Sequence, residues 1–133
     1  MVGLVVATHG QLGAELLSST EMIIGPVRNA TAVAISRDNS MEEIRNRIAT
    51  SIAEVGTDGD GILIATDMFG GTPANVSMTF LETGKVEIMT GVNLPMLLKF
   101  FNSQENLGLE ELAGILQAYG RKSIAMGSDY LQR

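Results

Sequence analysis

The sequence predicts an α/β fold in which a mainly parallel sheet is doubly wound, with helices on both faces. Short apolar runs alternate with longer segments of helical periodicity along the chain, which is the order that βαβ units produce. The first run, Val2 to Thr8, is almost continuously apolar, as expected of a strand buried on both faces. A length of 133 residues suits a single domain over residues 1–133. Four main strands favour the flavodoxin-like order 2-1-3-4.

Two strand–helix units make up the first half of the chain. The first strand is followed by a helix over Gln11 to Ile24. We expect its apolar face to consist of Leu12, Leu16 and Ile23. Ala30 to Ile35 is the second strand, and Ser40 with Glu43 forms a capping box at the start of the next helix. The apolar face of that helix is predicted to consist of Met41, Ile44, Ile48, Ile52 and Val55.

The third strand, Gly61 to Thr66, is followed by a glycine-rich loop and a helix that runs to about Leu81. Thr72 is predicted to be the N-cap of this helix, with Pro73 in its first position. A fourth strand is expected over Lys85 to Met89.

The last part of the chain is predicted to be helical. One helix extends from Leu94 to Phe101, after an asparagine and before a polar loop. The final helix is marked by apolar residues at helical spacing, namely Leu109, Leu112, Leu116 and Tyr119. The segment Ser123 to Met126 is compatible with a short closing strand at the C-terminal edge of the sheet.

The composition excludes several kinds of chemistry. Cysteine is absent and His9 is the only histidine, so no thiol nucleophile or multi-imidazole metal site is expected, and we predict no metal and no cofactor. A net charge of −6 with scattered basic residues argues against nucleic acid as a partner. No apolar run reaches the ~18 residues of a membrane span, and the N-terminus lacks the basic segment of a signal peptide. We therefore expect a cytoplasmic protein.

The predicted topology brings the only histidine next to an aspartate. In the order 2-1-3-4 the topological switch lies between strands 1 and 3, where ligands bind at the carboxyl ends of the strands. His9 follows the first strand and Asp67 follows the third. A carboxylate that accepts one ring N–H leaves the other nitrogen as a nucleophile and stabilises the cation formed by its reaction. We expect His9 to react and Asp67 to orient and polarise it, rather than to cap a turn beside an inert histidine.

The loop after the third strand adds a predicted anion site. Gly70 and Gly71 let backbone N–H groups approach an anion, and the helix start at Thr72 favours negative charge. We expect these three residues to bind a phosphoryl group. Thr8 and Phe69, beside the two catalytic positions, and Asn93, after the fourth strand, are candidates for the pocket wall. A nucleophile, an orienting carboxylate and an anion site together are typical of phosphoryl transfer through a phosphohistidine.

Three segments of the chain resemble one family of proteins. They are Val5 to Gly10, Ala65 to Asn75 and Thr90 to Leu97, in the family's order and spacing. On these segments the sequence is similar to the IIA domain of the mannose/fructose/sorbose family of the bacterial sugar phosphotransferase system (PTS). The family often has tryptophan where Phe69 stands, and phenylalanine lacks the indole N–H donor.

The resemblance implies a phosphoryl carrier, a phosphotransferase that needs no cofactor. His9 would accept a phosphoryl group from the phosphocarrier protein HPr and pass it to a IIB component, which we expect to be a separate protein. Asp67 matches the family's orienting acid, and Gly71 and Thr72 match its phosphoryl-binding loop. The membrane components IIC and IID would be reached only indirectly. The resemblance also implies a homodimer that exchanges a C-terminal edge strand.

Three other functions compete with this interpretation. The phosphotransfer subunit of dihydroxyacetone kinase shares the fold and a histidine after the first strand, but the Gly-Gly-Thr-Pro and Gly-Val-Asn-Leu-Pro segments favour the sugar family. A receiver domain phosphorylated on Asp67 needs acidic residues after the first strand to hold Mg²⁺, and the residues around Thr8 supply none. A flavin or nucleotide module is least favoured, because no Walker motif or hydroxyl-rich loop follows the first strand.

Overall fold

The computed structural model describes residues 1–131. Strands and helices alternate until the fourth strand, and two helices and a single 3-10 turn follow it. The elements are β1 (Gly3–His9), α1 (Leu12–Ile24), β2 (Ala30–Ile35), α2 (Met41–Val55), β3 (Ile62–Thr66), α3 (Thr72–Met78), β4 (Val86–Thr90), α4 (Leu94–Ser103), α5 (Leu109–Lys122) and the 3-10 turn Gly127–Tyr130.

The four strands form one parallel sheet in the order β2-β1-β3-β4. The register pairs His9 of β1 with Ile35 of β2, and Ala7 of β1 with Thr66 of β3. The central strands therefore end level with each other, and the loops that follow them share one edge of the sheet. The predicted doubly wound fold and strand order are confirmed.

Alternate residues of β1 enter two separate cores. Leu4 and Val6 pack with side chains of α1, α4 and α5 on one face, while Val5 and Ala7 pack with side chains of α2 and α3 on the other. All four side chains are completely buried. Because β1 is covered on both faces, it lacks the polar–apolar alternation of a half-exposed strand, as its sequence indicated.

The buried face of α1 differs from the predicted one. Leu12 and Ile23 are exposed, and the fully buried residues are Gly13 and Thr20. A Cβ atom on Gly13 would lie 2.9 Å from the carbonyl oxygen of Val6. The helix therefore crosses β1 so closely that only small residues fit at the contact, and an apolar periodicity does not report such a contact.

The other helices follow the prediction with shifted ends. The capping box of Ser40 and Glu43 opens α2, although Met41 is exposed. The N-cap of α3 is Gly71, so Thr72 is the first helical residue and its side chain makes no cap. This helix ends three residues before Leu81, because the backbone continues in tighter turns towards β4.

The predicted closing strand is wrong for this chain on its own. Residues 123–126 form no strand with any described part of the chain, and a 3-10 turn follows them. A strand needs a neighbour to satisfy its backbone groups, and this segment makes no strand pairing with the edge of β4. Tyr119, expected on the buried face of α5, is partly exposed and lies against the ammonium group of Lys99.

Candidate functional site

The candidate site lies at the carboxyl edge of the two central strands. His9 is the last residue of β1, and Asp67 directly follows the last residue of β3. Strands β1 and β3 are neighbours, although a helix, a strand and a second helix separate them in the chain. This is the topological switch point of the sheet, where the crossovers leave a crevice.

His9 and Asp67 form a direct pair in this crevice. The imidazole Nδ1 lies 2.8 Å from Oδ2 of Asp67, and the backbone N–H of His9 donates to the same oxygen over 3.1 Å. Half of the His9 side chain, 51%, is exposed, against 13% for Asp67. The carboxylate is thus more deeply buried than the imidazole, and Nε2 is the ring nitrogen that makes no hydrogen bond with it.

Asp67 is held as a carboxylate by its surroundings. Burial alone raises its pKa, but the hydrogen bonds from the side chain and backbone of His9 outweigh burial, and the net pKa lies below that of an ordinary aspartate. Its other oxygen, Oδ1, accepts the backbone N–H of Met68 over 3.1 Å. A carboxylate only accepts hydrogen bonds, so Nδ1 of His9 carries a proton, and in the neutral form of this ring the lone pair is on Nε2.

The glycine-rich loop lies against the reactive side of the imidazole. A Cβ atom on Gly71 would lie 2.8 Å from Cε1 of His9 and 3.4 Å from Nε2. Within residues 1–131, no hydrogen bond uses the backbone N–H of Gly70, Gly71 or Thr72. Gly70 has a φ of +85°, in the left-handed region that favours glycine, and nothing fills the space where its Cβ would stand.

The expected wall residues lie in different surroundings. Thr8 is completely buried, and its hydroxyl accepts the backbone N–H of Gly13 over 2.8 Å, which anchors the start of α1. Phe69 is 80% exposed. Asn93 caps α4 by accepting from the N–H of Met96, and its amide donates to the carbonyl of Gly120 in α5.

Sequence reasoning did not single out Met68. Its backbone fixes the Asp67 carboxylate, and its Cγ would lie 3.4 Å from a Cβ on Gly71, at the position that also approaches the imidazole. Its side chain is more than half exposed, so it forms part of the rim around His9. The signal in the sequence was its place between Asp67 and the two glycines.

The described residues contain no group of three or more metal-ligating side chains. Among the helices of residues 1–131, none combines the length and the apolar character that spanning a membrane requires.

Comparisons with known proteins show the family of this chain. The family model EIIA-man, described as the PTS system fructose IIA component, matches residues 3–117. The PTS system fructose-specific EIIA component of Bacillus subtilis is 28% identical over 134 aligned positions, which cover all of this chain and 91% of that protein. The PTS system mannose-specific EIIAB component of Escherichia coli K12 is 26% identical over 92% of this chain, which spans only 38% of that protein.

A solved structure of the same kind superposes on almost the whole chain. The phosphotransferase system component EIIA from Streptococcus agalactiae has a TM-score of 0.87 and 25% identity, with 97% of this chain and 99% of that one covered. The family model spans the elements that carry His9, Asp67 and the glycine-rich loop. The chain therefore belongs to the EIIA-man family of sugar phosphotransferase system IIA components, a family of phosphotransferases.

Proposed function

We propose that this protein is a phosphoryl carrier that takes a phosphoryl group from phospho-HPr on Nε2 of His9 and passes it to a IIB component. The observation that carries the proposal is the orientation of the imidazole. Its Nδ1 is hydrogen-bonded to a carboxylate with a lowered pKa, and its Nε2 lies beside Gly71.

The proposed transfer exchanges one phosphorus–nitrogen bond for another. The lone pair of Nε2 attacks the phosphorus of the donor's phosphohistidine, the donor P–N bond breaks, and the donor imidazole leaves with that electron pair. His9 then carries the phosphoryl group on Nε2 and keeps its proton on Nδ1. The positive charge of this ring is stabilised by Asp67. Transfer to the IIB component repeats the exchange in the opposite direction, so no cofactor or metal takes part.

The loop after β3 can stabilise the negative charge of the phosphoryl group during transfer. The backbone N–H groups of Gly70, Gly71 and Thr72 have no acceptor within residues 1–131, and the Thr72 hydroxyl is exposed and makes no cap. We propose that these groups donate to the phosphoryl oxygens. Such transfers depend on positioning and on stabilisation of charge rather than on further covalent chemistry.

The surface around His9 supports protein partners. Four large apolar side chains are exposed in the segments that follow β1, β2 and β3. This apolar rim consists of Leu12, Met41, Met68 and Phe69. Acidic residues in the first turns of α1 and α2, Glu15 and Glu42, lie at the same sheet edge. We propose that the rim contacts apolar residues of HPr and of a IIB component, while the acids favour basic residues on these partners.

The wider setting follows from the same proposal. The protein would work in the cytoplasm, in contact with HPr and IIB, and would reach the membrane components IIC and IID only through IIB. A homodimer is proposed because Ser123 to Gly127 alternates polar or small residues with Ile124 and Met126, whose side chains are exposed and which belong to no strand in the described chain. In a dimer this segment would add a strand to the edge of β4 in the other copy.

A phosphorylation assay with phosphoenolpyruvate, enzyme I and HPr tests the carrier function. We expect one phosphoryl group per chain, lost in acid and stable in alkali, and no label on a folded His9→Ala variant. A label that survives in His9→Ala would overturn the proposal. An alkali-labile label would instead favour an acyl phosphate on Asp67, the receiver-like alternative. Both oxygens of Asp67 accept hydrogen bonds, which argues against that alternative.

A further inference from the structure

The outer edge of β4 is partly closed by the chain's own groups. In a parallel pair, alternate residues direct their N–H and C=O groups to the same neighbour. The carbonyl of Lys85 accepts from Ile62 of β3, so Val86, Ile88 and Thr90 direct their backbone groups outward, away from the sheet. These outward groups are the ones that an added strand would use.

Half of these outward groups have partners within the chain. Val86 exchanges both of its hydrogen bonds with Glu82 in an antiparallel bridge. The N–H of Ile88 donates to Oε2 of Glu87 over 2.8 Å, so the side chain of one residue occupies the backbone donor of the next. Within residues 1–131 the C=O of Ile88 and both groups of Thr90 make no hydrogen bond.

The Glu87 carboxylate stands where a carbonyl of an added strand would have to lie. A strand that pairs along Ile88 to Thr90 needs the Ile88 N–H as a donor, and that proton already points at Glu87. A carbonyl brought to the same nitrogen would also meet the negative charge of the carboxylate. The carboxylate must rotate away before pairing is complete, and pairing must compensate for the lost charge-assisted hydrogen bond.

The strand best suited to pair with this edge comes from a second copy of this chain. Beside β4 lies an open groove of about 830 Å³, lined by Leu81, Val86, Ile88 and, from the segment after α5, Ile124. Ile124 is 81% exposed, and Met126 has an extended backbone with φ −91° and ψ 145°. A segment with strand periodicity and exposed apolar side chains, which forms no strand in its own chain, thus lies next to an edge with free backbone groups.

We propose that Glu87 competes with the C-terminal segment of a second copy for the Ile88 N–H and thereby sets the affinity of the dimer. This inference rests on the homodimer of the proposed function and adds a residue that controls it. In the monomer the Glu87 carboxylate accepts a hydrogen bond from the Ile88 N–H. It thereby protects an edge that would otherwise pair nonspecifically with other strands. In the dimer the same side chain points to solvent and the Ile88 N–H pairs with the partner strand.

The test is the dimer dissociation constant of four proteins, measured by sedimentation equilibrium. Glu87→Ala removes the competitor in both copies, and we expect the dissociation constant to fall about a hundredfold, which is about tenfold for each of the two hydrogen bonds to a charged group. Glu87→Gln keeps a neutral acceptor and should lie between the wild type and Glu87→Ala. Glu82→Ala is the matched control, because it removes one negative charge from the same groove while its backbone bridge stays.

The outcomes separate competition from simple repulsion between two acidic chains. We expect Glu82→Ala to keep the wild-type constant within about twofold. Equal tightening in Glu82→Ala and Glu87→Ala would overturn the proposal in favour of general charge repulsion. An unchanged constant in Glu87→Ala, or the absence of dimers from all four proteins, would overturn it as well.

Hydrogen exchange of the Ile88 amide proton is a second test of the proposal. At concentrations where the chain is monomeric, the Ile88 amide of Glu87→Ala should exchange faster than that of the wild type; in the dimer it should be protected in both. Equal monomer exchange rates would contradict the proposal. Labelling of His9 in the same samples keeps the two proposals distinguishable. If His9 is not labelled, the carrier function is contradicted, while the dissociation constants still test the role of Glu87.

Discussion

The reactivity of His9 depends on which ring nitrogen is free. Asp67 accepts from Nδ1 and from the backbone N–H of the same residue, so the ring is fixed in both orientation and tautomer. Because Asp67 is mostly buried, this hydrogen bond is less exposed to competition from water than the outer side of the imidazole. The carboxylate thus acts on the reacting nitrogen through the ring.

Substitution of Asp67 by asparagine tests this role. The neutral amide cannot stabilise the charged ring and allows the wrong tautomer, so we expect phosphoryl transfer from HPr to slow by ~10²-fold or more. The apparent affinity for HPr should stay the same, because Asp67 lies beneath His9 and not on the rim. Asp38→Asn, an exposed change in the loop after β2, is the control for removing one charge. Equal rates in the two variants would make Asp67 purely structural.

The lowered pKa of Asp67 also predicts how stability depends on pH. A group whose pKa is lower in the folded chain stabilises the fold above its unfolded value, about 3.9, and this contribution is lost as the pH falls through the lowered value. In urea titrations, the difference in free energy of unfolding between the wild type and Asp67→Asn should therefore shrink as the pH falls below about 4. A difference that does not change down to pH 2.5 would contradict the pairing.

Gly71 is predicted to matter for the space it leaves at His9. Its φ of −84° suits any residue, so Gly71→Ala adds no backbone strain but places a methyl group 2.8 Å from Cε1 of His9. We expect at least ~10²-fold slower labelling because Nε2 is displaced or covered. Gly108→Ala is the matched control: Gly108 is also a helix N-cap with φ −74°, and its Cβ would meet nothing within 4 Å. Similar labelling of both variants would show that the close approach has no role.

At the scale of elements, the site forms because the parallel sheet brings the ends of three strands, and the loops after them, to one edge. β1, β2 and β3 end level with one another, so the end of β1 supplies the histidine, and the segments that follow the strands supply the aspartate and the apolar rim. The helix α1 approaches β1 closely because Gly13 faces Val6, and the buried Thr8 hydroxyl secures its first turn. The position of the rim residue Leu12 follows from this close contact.

Phe69→Ser tests the apolar rim as a docking surface. Removal of an exposed ring should raise the KM for phospho-HPr about tenfold, as for a central apolar contact in an interface, with kcat little changed. Labelling by phosphoramidate, a small phosphoryl donor for imidazoles, should be unaffected because it needs no docking. Met22→Ser, at the far end of α1, removes an equally exposed apolar side chain and should change neither reaction. Equal KM values for the two variants would rule out docking at Phe69.

At the scale of the whole molecule, the sequence predicted the strand order and the position of the crevice because both follow from alternating periodicities and chain connectivity. It did not predict the buried face of α1, since contacts made through Gly13 and Thr20 leave no apolar pattern. It placed the cap of α3 on Thr72 instead of Gly71, because threonine and glycine both occur at that position and only the backbone geometry decides.

The closing strand shows a different limit of sequence patterns. The alternation around Ile124 and Met126 is typical of a strand, yet the segment pairs with no strand of the described chain. Periodicity reports which faces of a segment are apolar and does not report which molecule covers them. The edge of β4, with Glu87 on one of its donors, is likewise a property of the assembled sheet and is not visible in the order of residues.

The most direct test of the account is the position of the phosphoryl group on the imidazole. After phosphorylation with phosphoenolpyruvate, enzyme I and HPr, ¹⁵N NMR of His9 should show the phosphoryl group on Nε2 and a retained proton on Nδ1, with one group per chain. This result is required if Asp67 holds Nδ1 at 2.8 Å and leaves Nε2 as the nucleophile. A phosphoryl group on Nδ1, or on any residue other than His9, would contradict the account.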